Sequence, residues 1–338
     1  MAGSLSPITL DVKQESFKLE GTFTISRGSR TEANVLTVTL SRGACRGWGE
    51  CLPYARYDES MQSVTEQIRS IEVDLANGLD RDTLQGLLPA GAARNAVDCA
   101  LWDLEAKESG KAVWQLAGLS EPQAITTAFT LSLESPSQMR ASAAKHGHRP
   151  LLKIKLGGAG DMDRLQAVRE GAPNARLIVD ANEGWSAGDY DALAPLMVDL
   201  GVTLVEQPLP AGDDAALANR ERPLPVCADE ACHDRSSLDG LQGKYDVINI
   251  KLDKTGGLTE ALALRDAGLA QGFDIMVGCM VSTSLAMAPA LLVAQGASVI
   301  DLDGPLLLAE DRATPMPVTG SQMQPASTTL WGLSLIHI

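Results

Sequence analysis

Three carboxylates end three consecutive apolar segments of the sequence. Asp180 closes RLIVD, Glu206 closes VTLVE, and Asp229 lies near the end of PVCADE. If these segments are neighbouring parallel strands, the three carboxylates converge and repel one another unless a cation neutralises them. Oxygen ligands with open coordination positions favour Mg²⁺. We therefore predict one Mg²⁺ per subunit at these acids; the alternative is that each acid caps a helix or forms a surface ion pair.

Two lysines lie two positions apart in the segment LLKIKL. Lys153 and Lys155 point to the same face if this segment is a strand. One interpretation is that Lys153 lowers the pKa of Lys155 and leaves it partly neutral as a base. The alternative is that one of the two ammonium groups reaches solvent.

A third lysine, Lys251, ends the later apolar segment DVINIK. In a barrel it would lie across the mouth from Lys155, with the three acids between them. Two lysines on opposite faces of one carbon, beside a metal, are suited to proton transfer next to a carboxylate through an enediolate. This arrangement favours racemisation or epimerisation.

The segments that must position these residues alternate with helical patterns. Short runs rich in Val, Ile and Leu predict buried strands, and amphipathic runs that end at Gly predict helices. The polar ends of successive strands are 22 to 28 residues apart, which fits one strand, one helix and two loops. Seven such units favour an α/β fold with a closed barrel, whose strand ends share one mouth. The predicted strands are 151–156, 176–180, 202–206, 225–230, 246–251, 274–279 and 298–303, with an eighth at 125–131 before them.

The first 120 residues follow a different pattern. SPITLDVKQESF, TEANVLTVTLSRG and GWGECLP alternate as antiparallel strands do. Helical patterns follow at SMQSVTEQIRSIEVDLANG and ARNAVDCALWDLEAKESG. This order predicts an α+β domain ahead of the barrel.

Composition excludes several classes of function. The 338 residues carry a formal net charge of −15, which disfavours binding to nucleic acid or to an anionic membrane surface. No apolar run approaches the roughly 20 residues of a membrane span, and the start of the chain lacks the pattern of a secretion signal. The six cysteines are too few for a disulfide scaffold in a chain of this length. We expect a cytoplasmic globular protein with reduced thiols; its oligomeric state stays open, a homo-oligomer included.

The order of motifs carries a family resemblance. KIK, VDANE, VEQP, ADE and NIKLDKTGG resemble the enolase superfamily, muconate-lactonising subgroup, and within it the dipeptide epimerases. FTISRGSR, GWGECLPYARY, PAGAARNAVDCALWDLE, CADEACH, GCM and DLDGP extend the resemblance over nearly the whole chain. The resemblance implies epimerisation of the C-terminal residue of dipeptides such as L-Ala-L-Glu and L-Ala-D-Glu, in murein peptide metabolism.

The resemblance also implies an architecture and a set of roles. We expect a (β/α)₇β barrel at 121–304, and a capping domain at 1–120 that is completed by 305–338. Carried over by motif, the three acids bind Mg²⁺ and Lys153 modulates the electrostatics of the site. Lys155 and Lys251 then act as the two acid/base catalysts.

The substrate would be held by a second group of residues. Asp301 and Asp303, two apart in DLDGP, match the pair that holds the α-ammonium group; the alternative is a salt bridge without a ligand. Arg27, in ISRGSR, is our candidate for the side-chain carboxylate because an Arg fork binds such a group in two places. Arg30 competes with it, and a solvated loop arginine is the other alternative. Further expected substrate contacts are Thr130, Cys279, Met280 and Val281, with Trp48 and Glu50 near the site.

Other chemistries remain open at this point. Lys251 could form a Schiff base as in class I aldolases, although the three acids would then have no purpose. A barrel that only binds a metal or a peptide is a second alternative. Within the superfamily, o-succinylbenzoate synthase and muconate cycloisomerase are alternatives that do not account for Asp301 and Asp303.

Overall fold

The computed structural model describes residues 6–332. The N-terminal part holds a three-stranded antiparallel sheet in the order β1-β2-β3, followed by helices. Its elements are β1 (Thr9–Ile25), β2 (Gly28–Arg42), β3 (Cys45–Cys51), α1 (Met61–Ser70), α2 (Glu72–Ala76), α3 (Arg81–Leu87), α4 (Ala92–Ser109) and α5 (Val113–Leu116).

The helix α4 packs directly on the sheet, and the GWGE motif explains how. A Cβ atom at Gly49 would lie 2.0 Å from the carbonyl oxygen of Ala96, and one at Gly47 would lie 2.2 Å from that of Ala100. Only glycine allows the backbones of strand and helix to approach this closely. Nearly all of α4 is therefore buried between the sheet and the barrel.

The larger part of the chain forms an eight-stranded parallel sheet that curves into a barrel. The elements are β4 (Ile125–Thr126), β5 (Phe129–Leu131), α6 (Pro136–His146), β6 (Leu151–Lys155), α7 (Asp161–Gly171), β7 (Arg176–Asp180), α8 (Ala187–Asp199), β8 (Val202–Glu206), β9 (Val226–Ala228), α9 (Leu238–Leu241), β10 (Val247–Ile250), α10 (Leu252–Thr255), α11 (Leu258–Ala270), β11 (Asp274–Gly278), α12 (Ser284–Val293) and β12 (Val299–Asp301). Strands β5 to β12 follow one another in sequence order, and every pair is parallel. The amide of Ala128 donates to the carbonyl oxygen of Ile300 at 2.8 Å, which links the two ends of the sheet.

Eight inward-facing side chains, spaced around the wall, fill the interior of the barrel below its mouth. This buried layer consists of Ala128, Leu151, Ile178, Leu204, Cys227, Val247, Met276 and Val299. Because side chains alternate along a strand, the residues two positions further on also point inward. These next residues include Lys153, Asp180, Glu206, Asp229 and Asp301, so the strand period alone brings the charged residues to one level above an apolar floor.

Two details of the predicted elements are wrong. The predicted strand 125–131 is divided: β4 joins a hairpin near the C-terminus, and only β5 belongs to the barrel. Thr127 separates them, because its hydroxyl accepts from the amide of Leu302 at 2.8 Å and bends the chain into the barrel closure. The helical pattern at 60–78 is also divided, into α1 and α2, at Ile71.

The C-terminal segment joins the sheet domain to the barrel. Its strands β13 (Val318–Thr319) and β14 (Gln322–Met323) pair with β4. Upstream of them, Arg312 donates to Glu15 and Glu50 of the N-terminal sheet and to Thr283 of the barrel. The domain boundaries at 120 and 304 stay a prediction, and the ends of the expected capping domain at 1 and 338 lie outside the described residues.

Within residues 6–332, no helix combines the length and the apolar character that crossing a bilayer would require. All six cysteines are free thiols. The predicted fold class, a (β/α)₇β barrel with an α+β domain at its N-terminal side, is confirmed.

Candidate active site

A pocket lies at the mouth of the barrel, beneath the tip of the N-terminal sheet. The space within it, part of which is continuous with solvent, is about 610 Å³. The barrel supplies most of the predicted site residues to its wall, and the N-terminal part supplies a mixed aromatic and cationic roof. The wall residues discussed below are Thr130, Lys153, Lys155, Asn182, Asp229, Glu230, Lys251, Cys279, Met280, Val281, Asp301 and Asp303, and the roof residues are Phe23, Ile25, Arg27, Arg30, Tyr54 and Tyr57.

The three predicted metal ligands lie together. Asp180, Glu206 and Asp229 each offer a carboxylate oxygen within 4.8 Å of the others, and all three are buried. The strand register explains this, because Asp180 pairs with Glu206 across β7 and β8. Asp229 follows β9 by one residue and reaches the same level.

One oxygen of each acid is already engaged by a donor of the protein. Asp180 Oδ1 accepts from the amide of Asn182 at 2.9 Å, and Glu206 Oε1 accepts from Asn249 Nδ2 at 2.8 Å. Asp229 Oδ1 accepts from the ammonium group of Lys254 at 2.7 Å. The second oxygen of each acid faces the centre of the site, where a lysine lies against it: Lys155 at Asp180, Lys153 at Glu206 and Lys251 at Asp229.

The electrostatics of the triad fit a divalent cation. Burial raises the pKa of Glu206, and the neighbouring charge of Asp180 raises it further. Its Oε2 atom is buried without a hydrogen bond, although Lys153 Nζ lies 2.6 Å away as an ion-pair partner. Three buried acids whose charges repel one another form an arrangement that a hard cation with oxygen ligands would stabilise.

The two predicted catalytic lysines flank the triad. Lys155 Nζ donates to Asp180 Oδ2 at 2.5 Å, and Lys251 Nζ donates to Asp229 Oδ2 at 2.6 Å. Both are buried but line the pocket. Burial lowers the pKa of Lys251, but the charges of Asp229 and Glu206 outweigh this effect and hold it well above its ordinary value. Each lysine is thus tied to a different acid, as the barrel order predicts.

Lys153 lies deeper than the other two lysines. Its side chain is 1% exposed, and its ammonium group lies 3.1 Å from Asp180 Oδ2 and 2.8 Å from Asp301 Oδ2. The alternative in which one of the paired lysines reaches solvent is therefore wrong. Burial lowers the pKa of Lys153, but the charges of Asp301, Glu206 and Asp180 raise it well above its usual value, so Lys153 is a fixed positive charge.

The predicted ammonium site lies on the opposite part of the wall. Asp301 and Asp303 are both 4% exposed. Asp303 Oδ2 accepts from the amide of Thr130 at 2.6 Å, while Asp301 Oδ1 has no hydrogen-bond partner among residues 6–332. Burial, together with the charge of Asp301, raises the pKa of Asp303 to about 7. Two buried acids with unused acceptor capacity form a suitable site for a cationic group.

Cys279, Met280 and Val281 follow β11 and line the pocket, as expected. Burial, reinforced by the charges of Asp303 and Asp301, raises the pKa of the Cys279 thiol well above its ordinary value. This residue is therefore part of the wall and not a thiolate nucleophile.

Arg27 and Arg30 both reach the pocket but differ in their partners. Arg27 occupies the two-residue turn between β1 and β2, and its guanidinium lies 2.7 Å from Glu230 Oε1. It also donates to the carbonyl oxygen of Asn182 at 3.1 Å. The Arg30 guanidinium lies 5.6 Å from the centre of the Tyr54 ring, and within residues 6–332 its side chain has no hydrogen bond or ion pair. Arg30 is therefore the guanidinium with more free donors.

Sequence reasoning placed Trp48 and Glu50 near the site, and neither lines the pocket. Lys107 Nζ of α4 lies 3.8 Å from the centre of the Trp48 ring, which packs against the main hydrophobic core. Glu50 is buried against Arg312 and Thr283, where it joins the sheet domain to the barrel. These contacts link β3 to the barrel and to the C-terminal segment.

Several pocket residues were missed. Tyr54 and Tyr57 follow the GWGECLP motif directly, but their residue type and spacing gave no signal for a place in the pocket. Asn182 lies two residues after the predicted metal ligand Asp180 in VDANE, and Glu230 directly follows the predicted ligand Asp229 in ADE; both segments end at the mouth. Asn182 has a left-handed backbone, with φ 45°, which is uncommon outside glycine and often marks a functional site.

The chain is similar to known proteins over nearly its whole length. It is 50% identical over 305 residues to an L-Ala-D/L-Glu epimerase of Escherichia coli (90% of this chain, 95% of the relative). It is 45% identical over 300 residues to an N-acetyl-D-glutamate racemase of a Pseudoalteromonas species (88% and 95%).

Solved structures that are similar to this chain also include dipeptide epimerases and a protein with homology to them. An enolase family member from Agrobacterium tumefaciens with homology to dipeptide epimerases, solved with sodium and L-Ala-L-Glu, is 54% identical and has a TM-score of 0.95 (96% of this chain, 100% of that chain). A dipeptide epimerase from Enterococcus faecalis, complexed with Mg and L-Leu-L-Tyr, is 27% identical with a TM-score of 0.89 (97% and 99%).

Family models cover both parts of the chain. The model of the mandelate racemase/muconate lactonizing enzyme N-terminal domain matches residues 7–118, and that of the enolase C-terminal domain-like family matches residues 135–319. The resemblance inferred from the motifs is therefore confirmed: the chain belongs to the mandelate racemase/muconate lactonizing enzyme family of the enolase superfamily.

Proposed function

We propose that this protein epimerises the C-terminal residue of dipeptides such as L-Ala-L-Glu and L-Ala-D-Glu. The observation that carries the proposal is the position of Lys155 and Lys251 on two different acids of the triad, next to a separate acid pair. The lysines fit proton transfer at a carbon beside a carboxylate, and the acid pair fits the free ammonium group of a dipeptide. The similarity to relatives named as dipeptide epimerases supports both parts.

Each charged group of L-Ala-L-Glu has a matching part of the pocket. Asp301 and Asp303 accept from the α-ammonium group, with Thr130 holding Asp303 in place. The α-carboxylate of the glutamate lies towards the triad and the lysines. Arg27 or Arg30 in the roof binds the side-chain carboxylate.

The proton is moved by the two lysines. One lysine takes the proton from the α-carbon and the other delivers a proton to the opposite face, which inverts the configuration. Lys153 stays charged and stabilises negative charge that develops on the substrate. Asp180, Glu206 and Asp229 would hold Mg²⁺, which when bound supplies positive charge beside the substrate carboxylate and makes the adjacent proton more acidic.

Incubation of the protein with L-Ala-L-Glu and Mg²⁺ in D₂O tests the proposal. We expect L-Ala-D-Glu to appear with one deuterium at the glutamate α-carbon, measured by chromatography and mass spectrometry. EDTA should abolish the reaction and excess Mg²⁺ should restore it. Absence of both deuterium and the D epimer over a panel of L-Xaa-L-Yaa dipeptides would contradict the proposal, and full turnover after chelation would contradict the metal assignment.

Racemisation of N-acetylglutamate is a second candidate. The 45% identical relative with that name supports it. The two activities differ at the amine, because an N-acetyl group carries no positive charge for Asp301 and Asp303. We therefore place the dipeptide first, and the same D₂O assay with N-acetyl-D-glutamate compares the two.

A further inference from the structure

Lys254 is a buried cation that the proposed proton transfer does not use. Its side chain has 0% exposure. Its ammonium group donates to Asp229 Oδ1 at 2.7 Å, to the carbonyl oxygen of Asp229 at 2.5 Å and to that of Asn249 at 2.9 Å. An ammonium group has three N–H donors, so all are used. Because Lys254 does not line the pocket, it can act on the reaction only through Asp229.

Its position is fixed by the fold on both sides. Lys254 lies on the short helix α10, one turn after Lys251, so both ammonium groups reach the same carboxylate from different sides. Arg94 of the N-terminal part donates to the carbonyl oxygens of Thr255 and Gly256 at 2.7 Å and 3.2 Å, which satisfies the end of this helix. The helix, and with it Lys254, has little freedom to move.

Asn249 holds one carboxylate oxygen of Glu206, as Lys254 holds one carboxylate oxygen of Asp229. Its Nδ2 atom donates to Glu206 Oε1 at 2.8 Å, and its side chain is fully buried. Glu206 Oε2 is left without a hydrogen bond. In both acids, therefore, one oxygen is held by a donor outside the pocket wall. The other oxygen faces the centre of the triad, where it lies against Lys251 in Asp229 and against Lys153 in Glu206.

We propose that Lys254 and Asn249 are positioning residues that reserve a single oxygen of Asp229 and Glu206 for the cation, and so select Mg²⁺ over Ca²⁺. Mg²⁺ requires near-octahedral coordination at about 2.0–2.1 Å, which one oxygen per carboxylate supplies. Ca²⁺ takes six to eight oxygens at about 2.3–2.6 Å and often binds a carboxylate through both oxygens. Blocking the second oxygen therefore penalises the larger ion.

The test measures metal binding without substrate. The dissociation constants of Mg²⁺ and Ca²⁺ are obtained from the rise in melting temperature of the metal-free protein as each ion is added. The variants are Lys254→Met and Asn249→Leu, of which the second is nearly isosteric and removes the donor to Glu206. We expect the preference for Mg²⁺ over Ca²⁺ to fall by roughly tenfold or more in each variant, the usual size of such second-layer effects.

A matched control separates this effect from lost stability. Lys244 Nζ lies 2.6 Å from Asp214 Oδ1, a lysine–aspartate pair of the barrel outside the pocket. Lys244→Met should lower the melting temperature and leave the Mg²⁺ to Ca²⁺ preference unchanged. If Lys254→Met does not fold, Asn249→Leu alone decides.

An unchanged ion preference in the folded variants would overturn the inference, and so would a wild-type protein that Mg²⁺ does not stabilise. The inference rests on the metal-binding part of the proposed function only. Because no substrate is present, a failure of epimerisation with intact Mg²⁺ selectivity contradicts the proposed function and leaves this inference standing.

Discussion

Lys153 connects the two halves of the pocket through Asp301. Its ammonium group lies 2.8 Å from Asp301 Oδ2 and, on its other side, 2.6 Å from Glu206 Oε2. Asp301 is therefore partly neutralised by the protein itself. Its neighbour Asp303 has no ion pair within residues 6–332 and is held only by the amide of Thr130. Asp303 is consequently the acid whose charge state depends most on a bound ammonium group.

This relationship predicts a pH dependence. Because the pKa of Asp303 is raised to about 7, Asp303 is protonated below that pH in the free protein and cannot pair with an ammonium group. The kcat/KM for L-Ala-L-Glu should therefore rise about tenfold per pH unit up to about pH 7 and then level off, since kcat/KM reports groups of the free enzyme. The profile of kcat should lack this limb, because bound substrate keeps Asp303 charged.

Two matched variants identify the group that is responsible for the rise of kcat/KM below pH 7, the acidic limb of the profile. Burial also raises the pKa of Asp253 to about 7, but this acid bonds Asn95 and the amide of Leu52 outside the pocket. Asp303→Asn should remove the acidic limb and Asp253→Asn should keep it. If the limb disappears with Asp253→Asn instead, the pH dependence belongs to the domain interface.

The two lysines should differ in the proton that they exchange. Lys155→Ala and Lys251→Ala should each abolish epimerisation, because inversion needs both faces of the α-carbon. Each variant should still exchange deuterium into one epimer of Ala-Glu, the one whose proton faces the remaining lysine. NMR of both epimers in D₂O measures this.

The control for the lysine variants is the metal site, because each lysine also pairs with an acid of the triad. Stabilisation of both variants by Mg²⁺ shows that the site survives. With that site intact, loss of exchange in both epimers for both variants would rule out the two-base assignment.

The sequence predicted the centre of the site because strand periodicity is strict. Lys153 and Lys155, and likewise Asp301 and Asp303, lie two positions apart, so they share a face whatever surrounds them. The steps between strands then bring the three acids to one level. These predictions depend only on the spacing of residues within and between strands, and not on contacts between distant parts of the chain.

Contacts that depend on tertiary packing were not predictable in the same way. Lys254 lies one helical turn after Lys251 and gave no periodic signal for its inward position. Arg27 is in the expected turn, but its pairing with Glu230 joins residues about 200 positions apart. Glu50 was misplaced because its buried partner, Arg312, belongs to the C-terminal segment.

The two arginines of the roof should contribute differently to specificity. Arg30→Met should lower kcat/KM for L-Ala-L-Glu by roughly tenfold or more and leave L-Ala-L-Leu nearly unchanged, because an unpaired guanidinium is free to bind the side-chain carboxylate. Arg27→Met should weaken both substrates alike, because Arg27 ties the turn to Glu230 and Asn182. The ratio of kcat/KM for the two dipeptides measures the difference. A selective loss in Arg27→Met alone would instead support the assignment made from the sequence.

The amine of the substrate should decide how well free and acetylated compounds turn over. Acetylation of L-Ala-L-Glu removes the positive charge and places a neutral amide against Asp301 and Asp303, both almost fully buried. Asp301 is paired with Lys153, so the cost falls on Asp303, whose pKa is about 7. At pH 8 to 9 this acid must then stay unpaired or take up a proton, which costs about 1.4–2.7 kcal/mol, or about 10- to 100-fold in kcat/KM. We expect N-acetyl-L-Ala-L-Glu and N-acetyl-D-glutamate to turn over slower than the free dipeptide by a factor in that range.

The acid pair itself supplies the control for this comparison. Asp303→Asn replaces the acid by a neutral group that can donate to an acetyl oxygen. The variant should lose activity on L-Ala-L-Glu and lose far less on the acetylated compounds. The ratio of kcat/KM for the free dipeptide to kcat/KM for the acetylated compounds should therefore fall. This change is measured by comparing kcat/KM for the three compounds between the wild-type protein and Asp303→Asn. Equal turnover of free and acetylated substrates by the wild-type protein would contradict the ammonium site and make N-acylamino-acid racemisation the better description, in line with the N-acetyl-D-glutamate racemase that is 45% identical to this chain.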